Sequence, residues 1–83
     1  MKAASTVADA LGSARAVGVD RLEAQTLLAA VLTRPRSWLL AHDDAPLAAD
    51  AQARIAALLA RRRSGEPLAY LLGEQEFFGL ALT

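Results

Sequence analysis

The residues best suited by type to chemistry are His42-Asp43-Asp44 and the run Arg61-Arg62-Arg63, with Arg34, Arg36 and Arg54 elsewhere. A histidine beside carboxylates serves as a general base when one carboxylate orients its ring and a substrate lies within hydrogen-bond reach. The same triplet also suits a helix end, where histidine meets the last carbonyls and the aspartates solvate a turn. The arginines together could form a basic face for RNA or for an acidic protein surface. Three arginines closing a helix equally complement its dipole. Trp38 suits either a partner anchor or the largest core side chain of a domain poor in aromatics. Phe77-Phe78 suits ligand contact or, more simply, a strand awaiting its hairpin partner. The sequence holds no Gly-rich phosphate loop, no paired-His metal motif and no Cys or Ser nucleophile motif. With no cysteine and one histidine, disulfides, thiolate sites and His-rich metal clusters are excluded.

These groups must be positioned by a small scaffold. At 83 residues the chain has room for one domain. Its hydrophobic content is 54 %, mostly Ala and Leu, which favours helices packed through small side chains over a sheet. Nine basic and nine acidic residues cancel, so no broad field for nucleic acid or an acidic membrane is indicated. No signal-peptide core follows Met1-Lys2, and the apolar run 27–32 is too short to span a bilayer. A cytoplasmic location is expected. So is stability of only a few kcal/mol for a core this small.

Helical periodicity runs through most of the chain. Ser5 or Thr6 caps a first helix with Val7, Leu11 and Ala14 at helical spacing, and Gly18 ends it. Gly12 inside it suggests close approach of a neighbouring helix. Asp20 and Glu23 have capping-box spacing, and Ala24, Leu27, Leu28, Val31 and Leu32 form the broadest apolar stripe. Thr33-Arg34-Pro35 interrupts that helix, because the residue before proline leaves the helical region. A short third helix carries Trp38, Leu39 and Leu40. A fourth covers about 48–64, with Ala51, Ile55, Leu58 and Leu59 inward. Gly65 then permits the left-handed turn that ends a helix, and Pro67 opens a short fifth helix that Gly73 closes. Residues 76–83 change period and composition and read as a strand. An isolated strand is unstable in water, so this one is expected to be disordered or to pair with a neighbour. The fold class is therefore all-α, a bundle of four to five helices with a short C-terminal strand or linker.

The run Arg62-Arg63-Ser64-Gly65-Glu66-Pro67-Leu68-Ala69-Tyr70-Leu71-Leu72-Gly73, followed by Glu76-Phe77-Phe78-Gly79-Leu80, resembles the interdomain junction of peptide chain release factor N5-glutamine methyltransferases. Gly18-Val19-Asp20, Glu23-Ala24, Leu27-Leu28, Arg36, Leu39 and Ala41-His42 are similar to that family's N-terminal helical segment. The resemblance spans nearly the whole chain.

The resemblance implies an enzyme that transfers a methyl group from S-adenosylmethionine to the glutamine of a Gly-Gly-Gln motif in class-1 release factors. It also implies that the chemistry lies in a C-terminal Rossmann-like domain. The cofactor loop and the Asn-Pro-Pro-Tyr substrate motif match no residue here, so no catalytic, cofactor-binding or metal residue is assigned to this chain. Residues 1–73 would form the substrate-recognition domain, and 74–83 the start of a linker hairpin to the catalytic domain. The expected partners are a class-1 release factor and that catalytic domain. Neither a membrane nor direct nucleic-acid binding is expected. The partner-binding candidates are Arg34, Arg36, Arg61, Arg62 and Arg63, and Gly65, Pro67, Gly73 and Gly79 are the expected hinge. A free-standing helical RNA-binding or adaptor module, resting on the arginines alone, is the alternative reading.

Overall fold

The computed structural model describes residues 6–81, with side chains described through residue 75. Five helices follow one another: α1 Val7–Ala16, α2 Arg21–Leu32, α3 Arg36–Ala41, α4 Ala49–Arg63 and α5 Leu68–Ala81. The all-α expectation holds. No helix is long and apolar enough to cross a membrane among the described residues.

Helix α2 is the hub, packing against α1, α3, α4 and α5. Its Ala24, Leu27, Leu28 and Val31 are buried, as the broad stripe requires, together with Gln25. Leu27, Leu28, Leu39, Leu71 and Val7 are the largest fully buried side chains, so α1, α2, α3 and α5 all feed one core. Burying each such side chain contributes about 1.5–3 kcal/mol. Helix α4 adds Ala51, Ile55, Leu58 and Leu59, the four residues its periodicity selects. Ala10 and Ala14 of α1 are also buried, and these small side chains let the helices approach closely.

The starts of the helices differ in quality. Thr6 caps α1, its Oγ1 accepting from the Asp9 N–H at 3.1 Å. Ser5, the other expected cap, lies outside the described residues. Asp20 caps α2 by accepting from the Leu22 N–H at 3.0 Å. Glu23 does not complete the capping box, because Arg62 engages its carboxylate instead. Helix α4 has Ala48 at its N-cap position and so no side-chain cap.

Three helices stop by one device. After α1, Val19 N–H reaches Ala14 O and Gly18 N–H reaches Arg15 O. After α2, Arg34 N–H reaches Ala29 O and Thr33 N–H reaches Ala30 O. After α4, Glu66 N–H reaches Arg61 O and Gly65 N–H reaches Arg62 O. Each pair is a Schellman closure, which needs a left-handed residue at its centre. Gly18 (φ 84°), Thr33 (φ 57°) and Gly65 (φ 108°) occupy those centres. The threonine is the costly one, since a β-branched side chain crowds its backbone there.

Three expectations need correction. Gly73 does not close the fifth helix; α5 continues through it, and through Gly79, to Ala81. Residues 76–81 are therefore helix, not strand and not the opening of a hairpin, while 82–83 lie outside the described residues. The local β preference of Phe77-Phe78 is weak without a partner strand. The preceding turn is held to α4 instead, through Arg61 to Glu74 and Arg54 to Gln75. Finally, a Cβ at Gly12 would meet nothing within 4 Å, so Gly12 marks no close helix approach.

Candidate functional site: two arginine corners

Helix α4 ends where α5 begins, and the corner between them is tied by charge. Arg61 Nη2 lies 2.7 Å from Glu66 Oε1, and Nε donates to the same carboxylate at 3.0 and 3.1 Å. Its Nη1 and Nη2 also reach the two Glu74 oxygens at 2.8 and 2.9 Å. One planar guanidinium thus holds two carboxylates, one in the turn and one in the second turn of α5. The guanidinium carbon sits 5.9 Å from the Tyr70 ring centroid. Arg61 holds the Glu74 carboxyl down at about 2, with a further contribution from the Tyr70 hydroxyl. Glu74 and then Glu66 push Arg61 further above its already high value.

Arg62 faces the other way. Its Nε and Nη2 donate to the Glu23 carboxylate at 2.9 and 3.3 Å, joining α4 to the first turn of α2. Its Nη1 donates to the Glu66 carbonyl at 2.9 Å, so the turn is gripped through backbone as well. These side chains retain 28–39 % of their exposure, so the clamp is at the surface and open to salt screening. Beside it, Val17, Gly18, Val19, Glu23, Arg62 and Arg63 line a shallow groove of about 270 Å³.

The second corner lies between α2 and α3. Thr33 turns the chain, and the Arg34 guanidinium carbon comes to rest 5.0 Å from the centroid of the Trp38 ring. His42 stacks on Trp38 with centroids 4.6 Å apart and ring planes at 17°. His42 Nδ1 donates to the Trp38 carbonyl at 3.0 Å, as does its backbone N–H at 2.9 Å. It is therefore placed as a helix-end histidine, meeting the last carbonyls of α3. Asp43 and Asp44 are exposed, and the Asp43 carbonyl accepts the Ala8 N–H at 2.8 Å. The 43–45 turn is thus joined through its backbone to the first turn of α1, the Ala45 carbonyl accepting the Val7 N–H at 3.1 Å. Trp38 is half-buried, packed against the core but not inside it.

The arginines do not form one patch. Arg62 meets the start of α2, whereas Arg34 follows its end. At about 1.5 Å of rise per residue, ten residues of α2 separate the two corners by roughly 15 Å. Arg61 and Arg62 are occupied inside the domain. Arg34, Arg36 and Arg63 have no carboxylate partner among the described residues. The clamp's acidic half, Glu23 with Glu66 and Glu74, escaped sequence reasoning. Its one legible signal was a capping-box glutamate at the start of α2 and an arginine run at the end of an antiparallel neighbour.

The profile of one known family, described as PrmC N-terminal domain, matches residues 3–73. The chain belongs to the PrmC N-terminal domain family. Its relatives agree. The chain is 53 % identical over 62 residues to a release factor glutamine methyltransferase of Bordetella pertussis, covering 75 % of this chain and 23 % of that protein. Against the protein of the same name from Vibrio cholerae it is 52 % identical over 61 residues, 74 % of this chain and 21 % of that one. Against that of Burkholderia pseudomallei it is 52 % identical over 66 residues, 80 % and 23 % respectively. The chain thus spans about a quarter of the length of these curated relatives. No solved structure gives a significant match. Among the described residues the matched region takes in α1 to α4 and the start of α5, with the two arginine corners at opposite ends of α2.

Proposed function

We propose that this domain docks a class-1 peptide chain release factor for an S-adenosylmethionine-dependent protein-glutamine N5-methyltransferase. It positions the Gly-Gly-Gln glutamine against a catalytic domain elsewhere in the longer protein. The observation that carries the reading is the family match over residues 3–73, joined to relatives whose names state a release factor glutamine as their target. The methyl donor and the methyl transfer belong to the catalytic domain, and the setting is cytoplasmic.

What this chain's residues contribute is position. Binding energy gathered far from the reacting atom raises the rate by holding that atom in reacting geometry, and a stiff linkage loses least of it. The α4–α5 corner supplies that stiffness: Gly65 and Pro67 set the turn, and Arg61 and Arg62 fix it through three carboxylates. We read the Gly65–Pro67 corner as a fixed joint toward the catalytic domain. Gly73 and Gly79, which lie within α5, are not part of the bend. Of the five candidate arginines, Arg34, Arg36 and Arg63 are left for the partner.

Titrating the 83-residue chain with the cognate release factor, followed by calorimetry, tests this. Saturable binding of one release factor per domain is expected. No heat and no saturation at domain concentrations up to hundreds of micromolar would contradict it.

A further inference from the structure

The α2–α3 corner is built as a surface. Arg34, Trp38 and His42 recur every four residues, and the central ring is flanked by a guanidinium and an imidazole. A guanidinium resting on an aromatic ring gains cation–π attraction and loses part of its rotamer freedom beforehand. Its N–H fork is then ready for a carboxylate. Arg36 stands two residues on, exposed, and Leu40 of the same helix is 57 % exposed. Among the described residues Arg15, Arg21 and Arg63 also lack carboxylate partners, and no aromatic ring orients them. The left-handed Thr33 that sets the corner is strained, the kind of local cost that accompanies functional sites.

We propose that Arg34, braced by the Trp38–His42 stack, and the exposed Arg36 beside it form the docking surface for an acidic segment of the protein partner. Arg34 and Arg36 receive its carboxylates, and Leu40 receives a neighbouring apolar side chain. The proposal rests on the docking reading above and names the face that performs it. Charge complementarity selects an anionic partner, and the engaged Trp38 ring favours an acidic protein over RNA. Sequence-tolerant RNA binding needs an open aromatic face for base stacking and a field that tracks phosphates. Here the Trp38 ring is already engaged by Arg34 and His42, and the chain's net charge is zero.

Trp38 is the single tryptophan, so its emission reports on this corner directly. The chain is titrated with the release factor, with a short oligoglutamate peptide and with a single-stranded RNA oligonucleotide. The comparison variants are Arg34→Ala/Arg36→Ala and a charge-matched control, Arg15→Ala/Arg21→Ala. All four side chains are exposed, and far-UV circular dichroism verifies that the fold is kept. The expected result is a change in Trp38 emission on binding the release factor. The first variant should weaken binding by about tenfold or more, and the control by no more than about twofold. Unaltered release-factor binding by Arg34→Ala/Arg36→Ala would overturn this surface while leaving docking intact. Binding of oligoglutamate at this corner without binding of the release factor would uphold the surface and overturn the docking reading. Preference for RNA over both acidic ligands, or no binding by any of the three, would overturn the proposal.

Discussion

Leu71 tests whether α5 belongs to the core. Its side chain is fully buried, and α5 packs on both α2 and α4. Leu71→Ala removes three carbon groups, which at ~0.8 kcal/mol each forfeits about 2.4 kcal/mol of transfer free energy. Leu27, Leu28 and Leu39 of the same cluster are fully buried and α-helical, so they cannot collapse far into the space left. The cavity brings the loss to about 3–4 kcal/mol. A domain of this length holds roughly 4–12 kcal/mol in all, so the variant should forfeit at least about a quarter of it. Urea titration followed by far-UV circular dichroism measures the difference, and the melting temperature should fall by roughly 12 °C or more. Leu22→Ala is the control: Leu22 is 54 % exposed, and its loss should cost under about 0.5 kcal/mol. If Leu71→Ala lay within about 1 kcal/mol of the parent, α5 would not be docked as described, and the corner would position nothing.

Three further outcomes follow from single residues. Arg61 chiefly, with Tyr70, depresses the Glu74 carboxyl from an ordinary 4.5 to about 2. Its stabilising contribution is therefore complete above pH 4.5 and lost as pH falls toward 2. The gap in melting temperature between the parent and Glu74→Gln should be open at pH 7 and close across that interval. Gly73 lies inside α5 with open space where a Cβ would stand and no positive φ. Gly73→Ala should stabilise by about 1 kcal/mol in a denaturant titration, whereas a helix terminator at this position would make it destabilising. Thr33→Gly relieves the left-handed β-branched residue and should stabilise by about 1 kcal/mol after the added chain entropy, read the same way.

Much of the fold was legible because local rules and packing agree. Helix α4 runs Ala49–Arg63 with the four expected residues buried, since its apolar spacing, its acidic start and its basic end point the same way. Gly18 and Gly65 announced their turns because only glycine adopts those angles freely. Thr33 gave no such signal; Pro35 marked the interruption but not its left-handed geometry. The course of α5 was misread because local composition, Gly73 and then two phenylalanines, points away from helix. What holds its second turn is Arg61 and Arg54 of α4, partners 13 and 21 residues distant. The arginines illustrate the same limit. Type and clustering marked all five as candidates, but pairing decides which are spent internally, and Glu23 lies 39 residues from Arg62.

The proposed positioning of a release factor by this domain, for a reaction performed elsewhere, is open to steady-state kinetics of the full-length enzyme, with and without residues 1–64. Two substrates are compared: the intact release factor and a short Gly-Gly-Gln peptide. Truncation should lower kcat/KM for the intact factor by about a hundredfold, while activity on the peptide is retained. Equal kcat/KM for the intact factor with and without the domain would contradict it.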